Sequence, residues 1–249
     1  MALAEIYAPF RHLPLLRLLT PTPSPPTSTD TSRRRVKAIV ALRLLEVVRD
    51  QDIPGEILED EDPTVTMPRK LGLSGVVDRQ IRTYRSDVRR GARLTDGEIT
   101  DLFRLVIRRP DSEEIFLRVG HMLAGREGRG GWTRLAPRRV ALAVARGRVR
   151  RRLRKLFGRR IGGFVRGRFA VEGRSLLFIE ADPGGDACAF VSGLCQAILE
   201  RTTGQPARVT HTLCQSRGDA LCRWEGFIED RPSRSEDGDG QESDASRGR

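Results

Sequence analysis

All four cysteines of this 249-residue chain, and one of its three histidines, lie in the stretch 186–224, and three of those cysteines with the histidine form a set. Cys188 and His211 have 22 residues between them, His211 and Cys214 have two, and Cys214 and Cys222 have seven. Three thiolates and one imidazole are a complete tetrahedral donor set for zinc, and four protein ligands leave such an ion no open position. The expected cofactor is therefore a structural zinc on Cys188, His211, Cys214 and Cys222. Two plainer readings use the same residues. They are small buried hydrophobes beside a surface histidine, since free cysteine is among the most buried residue types, or they include a disulfide across a hairpin. The second conflicts with the N-terminal sequence, which lacks the small-residue cleavage signature of a secretory signal. A reducing, cytoplasmic compartment is expected, where a persistent disulfide is rare.

The elements around these residues must bring them together. Asp186 has the chemistry of a helix N-cap, and the helix should run to about Arg201. Gly204 ends it and Pro206 prevents resumption. The stretch 207–213 alternates like a strand, Gly218 and Asp219 supply a turn, and 220–228 returns. Cys214 and Cys222 then flank a hairpin turn and converge, with Cys188 reaching them from the helix start. Cys195 cannot join, because seven residues of helix rise roughly 10 Å. Parity raises one difficulty. His211 and Cys214 fall on opposite faces of a regular strand, so the strand must bulge or end near Thr212.

The series Cys188, Ser192-Gly193, Thr203-Gly204-Gln205-Pro206, Cys214, Gly218-Asp219 and Cys222-Arg223-Trp224 resembles the 4-vinyl reductase domain. That family shows a cysteine before a glycine-containing helix and a later C-x-x-x-G-D-x-x-C-x-F pattern. The likeness is specific over 188–224 and looser, at the level of element order, back to about Leu94. In ligand-sensing members it implies a zinc on three cysteines and an acidic residue. These positions fall on Cys188, Cys214 and Cys222, with His211 in place of the acid. Trp224 stands where the family has phenylalanine. Histidine is a competent zinc ligand, so the first departure changes the charge of the site without abolishing it.

The rest of the chain bounds what these residues serve. Its formal charge is +12, but the segment 134–168 holds 14 Arg or Lys and no acid, and without it the charge is −2. The basicity is local. Arg148, Arg150, Arg151, Arg154 and Lys155 form a basic patch on a helix that starts at Pro137, with Leu142, Ala145, Val149, Leu153 and Leu156 as its buried stripe. Such a patch can neutralise phosphates of nucleic acid or anionic lipid. Specific nucleic-acid recognition is not expected, since no aromatics are interleaved and no binding motif is present. No apolar run approaches the roughly 18–20 residues that span a bilayer.

The segment 1–32 ends in a proline- and threonine-rich linker. A helical N-terminal extension covers 33–93, with an amphipathic helix at 33–49 and a short one at 71–84. Between them, 50–62 carries seven acids and no base. Thr95 and Glu98 form a capping box for a helix to about Ile107. Asp111 should cap the next, through Leu123, with Ile115, Val119 and Met122 on one face. A hairpin is expected from 164–171 and 175–181. The tail 230–249 has almost nothing to bury and reads as disordered.

Helices, a hairpin, a helix and a second hairpin predict an α+β domain over 94–229, an antiparallel sheet packed against helices. The resemblance implies the same class, commonly as a homodimer, with a pocket between sheet and helices for an apolar or tetrapyrrole small molecule. Phe164, Phe169, Leu177, Ile179, Phe190 and Leu194 are the candidate lining residues, although apolar residues are core by default. The leading expectation is a small-molecule carrier or sensor that passes any signal to a separate partner. The resemblance also admits a 4-vinyl reductase of chlorophyll precursors and a place in bacteriochlorophyll synthesis. No catalytic triad, carboxylate pair or dinucleotide fingerprint supports an enzyme. A basic adaptor on nucleic acid or anionic membrane is the third class.

Overall fold

Apolar residues at three- and four-residue spacing produce seven helices among the described residues, and two antiparallel sheets complete an α+β architecture. The computed structural model describes residues 34–52, 75–125, 133, 136–158, 162–165, 168–174 and 177–229. The expected tails, the acidic run beyond residue 52 and a stretch at 126–131 whose glycines predict a loop lie outside these. No helix among the described residues is long and apolar enough to cross a membrane.

Strand β1 (Arg34–Lys37) precedes helix α1 (Ile39–Asp52). The expected helix at 33–49 is therefore corrected at its start. Arg34 to Lys37 pair instead with β2 (Arg93–Thr95), and Val36 is buried on that strand. Helix α2 (Gly75–Arg89) packs on α1 through Leu42, Leu45, Val77 and Ile81. Beside that contact the buried Glu46 accepts from Arg43 at 2.6 Å and Arg85 at 3.0 Å.

Helix α3 (Asp96–Ile107) opens on the predicted capping box. Thr95 Oγ1 accepts from the Glu98 amide at 3.1 Å, and Glu98 accepts from the Thr95 amide at 2.7 Å. Helix α4 (Ser112–Leu123) starts as expected but is not capped by the Asp111 side chain. That carboxylate is drawn to Arg109, which also grips Asp52 with bonds of 2.9 and 2.7 Å. Arg109 holds Asp111 below its usual carboxylate range through this hydrogen bond. Ile115 and Val119 face the core, whereas Met122 is 41 % exposed and Phe116 and Leu123 take the remaining core positions.

The basic helix is α5 (Arg138–Phe157), with Pro137 at its N-cap and Gly158 left-handed at its end. Ala145, Val149, Leu153 and Leu156 are buried as read, joined by Ala141 and Phe157. Strands β3 (Gly163–Phe164) and β4 (Phe169–Gly173) pair antiparallel. The expected second hairpin strand is replaced by a helical turn, α6 (Leu177–Ala181). One turn places Leu177, Phe178 and Ala181 inward together. Phe178 is thereby set among Phe103, Phe157 and Phe190, at ring-centroid separations of 5.4–5.6 Å. An extended strand would aim Leu177 and Phe178 to opposite faces.

Helix α7 (Ala189–Thr203) follows a 3₁₀ turn at Asp186–Cys188. Asp186 does not cap it and accepts instead from Ser112 Oγ at 2.7 Å. The turn leading into α7 is braced by Asp182, whose carboxylate accepts from the Gly184 and Ala187 amides at 2.8 and 2.6 Å. The last strands, β5 (Ala207–Leu213) and β6 (Cys222–Ile228), complete a four-stranded sheet of order β3-β4-β6-β5.

α7 is buried along most of its length and crosses α4 closely. A Cβ at Gly193 would sit 2.0 Å from the Leu117 carbonyl oxygen, and one at Gly120 would sit 2.1 Å from that of Phe190. Two glycines thus set the distance between the helices. Overpacking such a contact costs about 1–3 kcal/mol. Gly193→Ala should therefore lower the melting temperature followed by circular dichroism. Gly147→Ala in α5, where nothing lies within 4 Å of the added carbon, should leave it unchanged or raise it, alanine being the better helix former by roughly 1 kcal/mol. Equal effects from the two would refute the close crossing.

Candidate metal centre

The start of α7 is held beneath the β5–β6 turn, and the four residues meet there. Ligand atoms of Cys188, His211, Cys214 and Cys222 all lie within 4.8 Å of one another. Metal–sulfur bonds of about 2.3 Å in a tetrahedron set sulfur–sulfur edges of roughly 3.8 Å, so the spread is close to what one ion requires. The three cysteines are buried and His211 is half-buried. Cys195 is also buried but stands apart from the set, as the helical rise requires. Burial alone pushes its thiol up.

Each ligand is placed by a local device. Cys188 closes the 3₁₀ turn and stands at the N-cap of α7. Cys214 and Cys222 flank a turn in which the Arg217 and Asp219 amides donate to the Cys214 carbonyl at 3.0 and 3.1 Å. The Asp219 carboxylate accepts from the Cys214 amide at 2.6 Å. Gly218 supplies a left-handed φ of 100°, which a glycine adopts at no steric cost. The parity problem is solved by the predicted irregularity. The β5–β6 register slips between His211 and Leu213, so that His211 and Cys214 reach the same side.

His211 carries the clearest mark of a ligand. Its Nε2 is shielded from solvent and meets no hydrogen-bond partner among the described residues. A buried polar atom without a partner costs about 1–3 kcal/mol, and a cation among the thiolates would satisfy it. The ring stacks on Trp224, directly opposite in the sheet, with centroids 4.9 Å apart and planes 11° from parallel. Trp224 Nε1 donates to the Cys188 carbonyl at 3.1 Å. One fully buried side chain therefore braces two of the four ligands, from two different elements.

The thiols are not equivalent. A hydrogen bond from Cys188 holds Cys222 well below the usual thiol range, against its burial, with help from His211 and the Gln215 amide. That amide donates to Cys222 Sγ at 3.3 Å. Cys188 is pushed up by the same bond and by burial. Proton sharing of this kind arises when thiols are crowded together, and metal binding displaces such protons. The donors are soft and borderline, as zinc prefers. The residues present thus fit a structural zinc.

The other candidate residues are placed elsewhere. Phe169, Leu177, Phe190 and Leu194 are buried core, and Phe164 and Ile179 pack against it. Arg150, Arg151, Arg154 and Lys155 are exposed on α5, while Arg148 donates to Thr202 Oγ1 at 2.9 Å. A cleft of about 760 Å³ opens beside the metal centre, between α4, the start of α7 and β5. His211, Leu117, Val209, Arg208 and Arg217 are among its lining, and none of the six apolar candidates is. Compared with protein-family models, curated proteins and solved structures, the chain matches none of them.

Sequence reasoning missed the bracing residues. Trp224 stood out only as a departure from a pattern. Gly185 gave no signal, yet its φ is 91° and an added Cβ would lie 2.8 Å from Cys214 Sγ. Two predictions follow from the geometry. Metal analysis should show Cys222→Ser losing its metal and Cys195→Ala keeping it, and equal loss would reject the ligand assignment. Trp224→Phe keeps a ring but loses the indole donor, worth about 0.5–1.5 kcal/mol. It should lower the melting temperature and speed metal release to a chelator, with unchanged release contradicting the bracing role.

Proposed function

We propose that this chain is a zinc-stapled carrier or sensor domain of the 4-vinyl reductase type. It binds an apolar or tetrapyrrole small molecule without turning it over. The observation that supports this most is the Cys188, His211, Cys214 and Cys222 cluster at the junction of α7 with the β5–β6 turn, where the resemblance puts the family's metal. Four protein ligands saturate a tetrahedral ion, so its role is to hold elements together and not to activate a substrate. Bound zinc contributes about 10–16 kcal/mol in small zinc-finger peptides, comparable to the whole stability of a typical domain.

The cleft beside His211 is where a ligand would bind in this reading. At about 760 Å³ it falls within the roughly 300–1,000 Å³ of small-molecule sites. Leu117, Ala189 and Val209 offer apolar surface, Arg208 and Arg217 on the β5 and turn side suit carboxylate substituents, and Asp111, Glu113 and Glu114 give the α4 side the opposite charge. A ligand here touches the metal centre through His211 and Gly185, which links occupancy to the hairpin. Sensing would follow from that link, with a separate partner reading the hairpin.

The test joins native mass spectrometry of the purified protein to a thermal-shift screen of porphyrins, chlorophyllides, phenols and fatty acids. One zinc per chain and a raised melting temperature with at least one ligand are expected. A ligand at a hundredfold excess over its dissociation constant stabilises by about 2.7 kcal/mol. Arg208→Ala with Arg217→Ala should abolish the shift for acidic ligands while the zinc stays. Steady oxidation of reduced nicotinamide with conversion of a divinyl to a monovinyl pigment would establish the reductase instead. No shift across the panel would remove the ligand-binding reading and leave a purely structural zinc.

A further inference from the structure

Strand β5 lies at one end of its sheet, and among the described residues no strand pairs with its outer side. The Glu229 amide donates to the Pro206 carbonyl at 3.0 Å, so residue 206 turns its main chain toward the β6 side. Antiparallel pairing alternates residue by residue. Arg208 and Thr210 therefore turn their amides and carbonyls to β6, while Val209 and His211 turn theirs to the open edge. That edge belongs to the cleft beside the metal centre. An open edge is a template for one more strand.

The helices on the other sides of the cleft add polar groups that the fold leaves unused. α7 contributes Ala189, Ser192 and Gln196. Their spacing puts them in one row along the helix, roughly 10 Å long, about the length of three extended residues. Ser192, within this row, is 5 % exposed, and its hydroxyl has no hydrogen-bond partner among the described residues. A buried helical hydroxyl commonly bonds back to the carbonyl four residues earlier. Thr202 and Thr203 do so on the same helix, to Ile198 and Leu199. For Ser192 that carbonyl belongs to Cys188, which Trp224 Nε1 already holds. The hydroxyl is left for an occupant of the cleft. On the α4 side, Glu113 and Glu114 are exposed and form no ion pair with a described residue.

We propose that the ligand of this cleft is peptide-like, an extended segment of about three residues that pairs with the open edge of β5. Its amides supply the alternating donors and acceptors that Val209 and His211 present, which a hydrocarbon chain cannot. It hydrogen-bonds Ser192 and carries a cationic group toward Glu113 and Glu114. Arg208 and Arg217 give the β5 and turn side the opposite sign, so the cation is directed to α4 and the orientation is set. The inference rests on the ligand-binding reading above and narrows its apolar molecule to one with a peptide backbone.

Isothermal titration of the full chain with the blocked peptide acetyl-Leu-Lys-Val-amide tests this. Saturable one-site binding is expected. Methylating the peptide's amide nitrogens in two alternate sets separates backbone pairing from side-chain contact. One set should weaken binding at least about tenfold and the other should leave it nearly unchanged, since a strand reads every second residue. Ser192→Ala should weaken binding about fivefold, as loss of one hydrogen bond predicts. Glu113→Gln with Glu114→Gln should weaken the lysine peptide but not one with norleucine in its place. Equal effects of the two methylated peptides would overturn the proposal. Dodecanoate, titrated in parallel, separates the two readings of the cleft. Binding of dodecanoate without the peptide would overturn this inference and leave the cleft a ligand site, whereas binding of neither would overturn both. A dimer in sedimentation that the peptide does not dissociate would assign the open edge to a second copy and would also overturn the proposal.

Discussion

Four potential ligand atoms lie within 4.8 Å of one another, and one ion held among them would tie together two distant parts of this chain. They belong to a helix start and a hairpin that are separate in sequence, and neither can shift without opening the set. The sheet is consequently fixed over α7 at one end. Within it, β6 pairs with β4 on one side and β5 on the other, and β3 pairs with β4. Trp224 extends the constraint inward, because the ring that stacks on His211 also donates to the Cys188 carbonyl. The candidate metal site and the core are joined through that residue.

A second constraint works from the helical side. Gly120 and Gly193 bring the backbones of α4 and α7 together closely enough to exclude a methyl group. α7 is thus gripped between a helix and a sheet, with Phe190 filling the space toward Phe157 and Phe178. Burial of this kind explains why most of α7 is apolar and why its cysteine at position 195 behaves as a small hydrophobe. The cleft beside His211 is lined by α4, the start of α7 and β5.

Much of the site was legible in the sequence because local rules govern it. The pitch of a helix excluded Cys195, the two-residue repeat of a strand required an irregularity near Thr212, and Thr95 with Glu98 marked a helix start. Distant partners governed what was not legible. Asp111 and Asp186 have ideal capping chemistry, but Arg109 and Ser112 claim their carboxylates. No side chain caps α7, and Asp182, four residues earlier, braces the turn ahead of it. Val36 fits a helical stripe but is drawn into a strand by β2, 58 residues away on the chain. The apolar run at Leu177 reads as a strand until three phenylalanines from other elements surround Phe178.

The central claim is that one ion is bound by three sulfurs and one nitrogen. X-ray absorption at the zinc edge of the purified full-length protein reads this directly. The account predicts one zinc per chain, with three sulfur neighbours near about 2.3 Å and one nitrogen near about 2.0 Å. A protein purified under reducing conditions that takes up no zinc when offered it, or a bound zinc surrounded mainly by oxygen, would contradict the account.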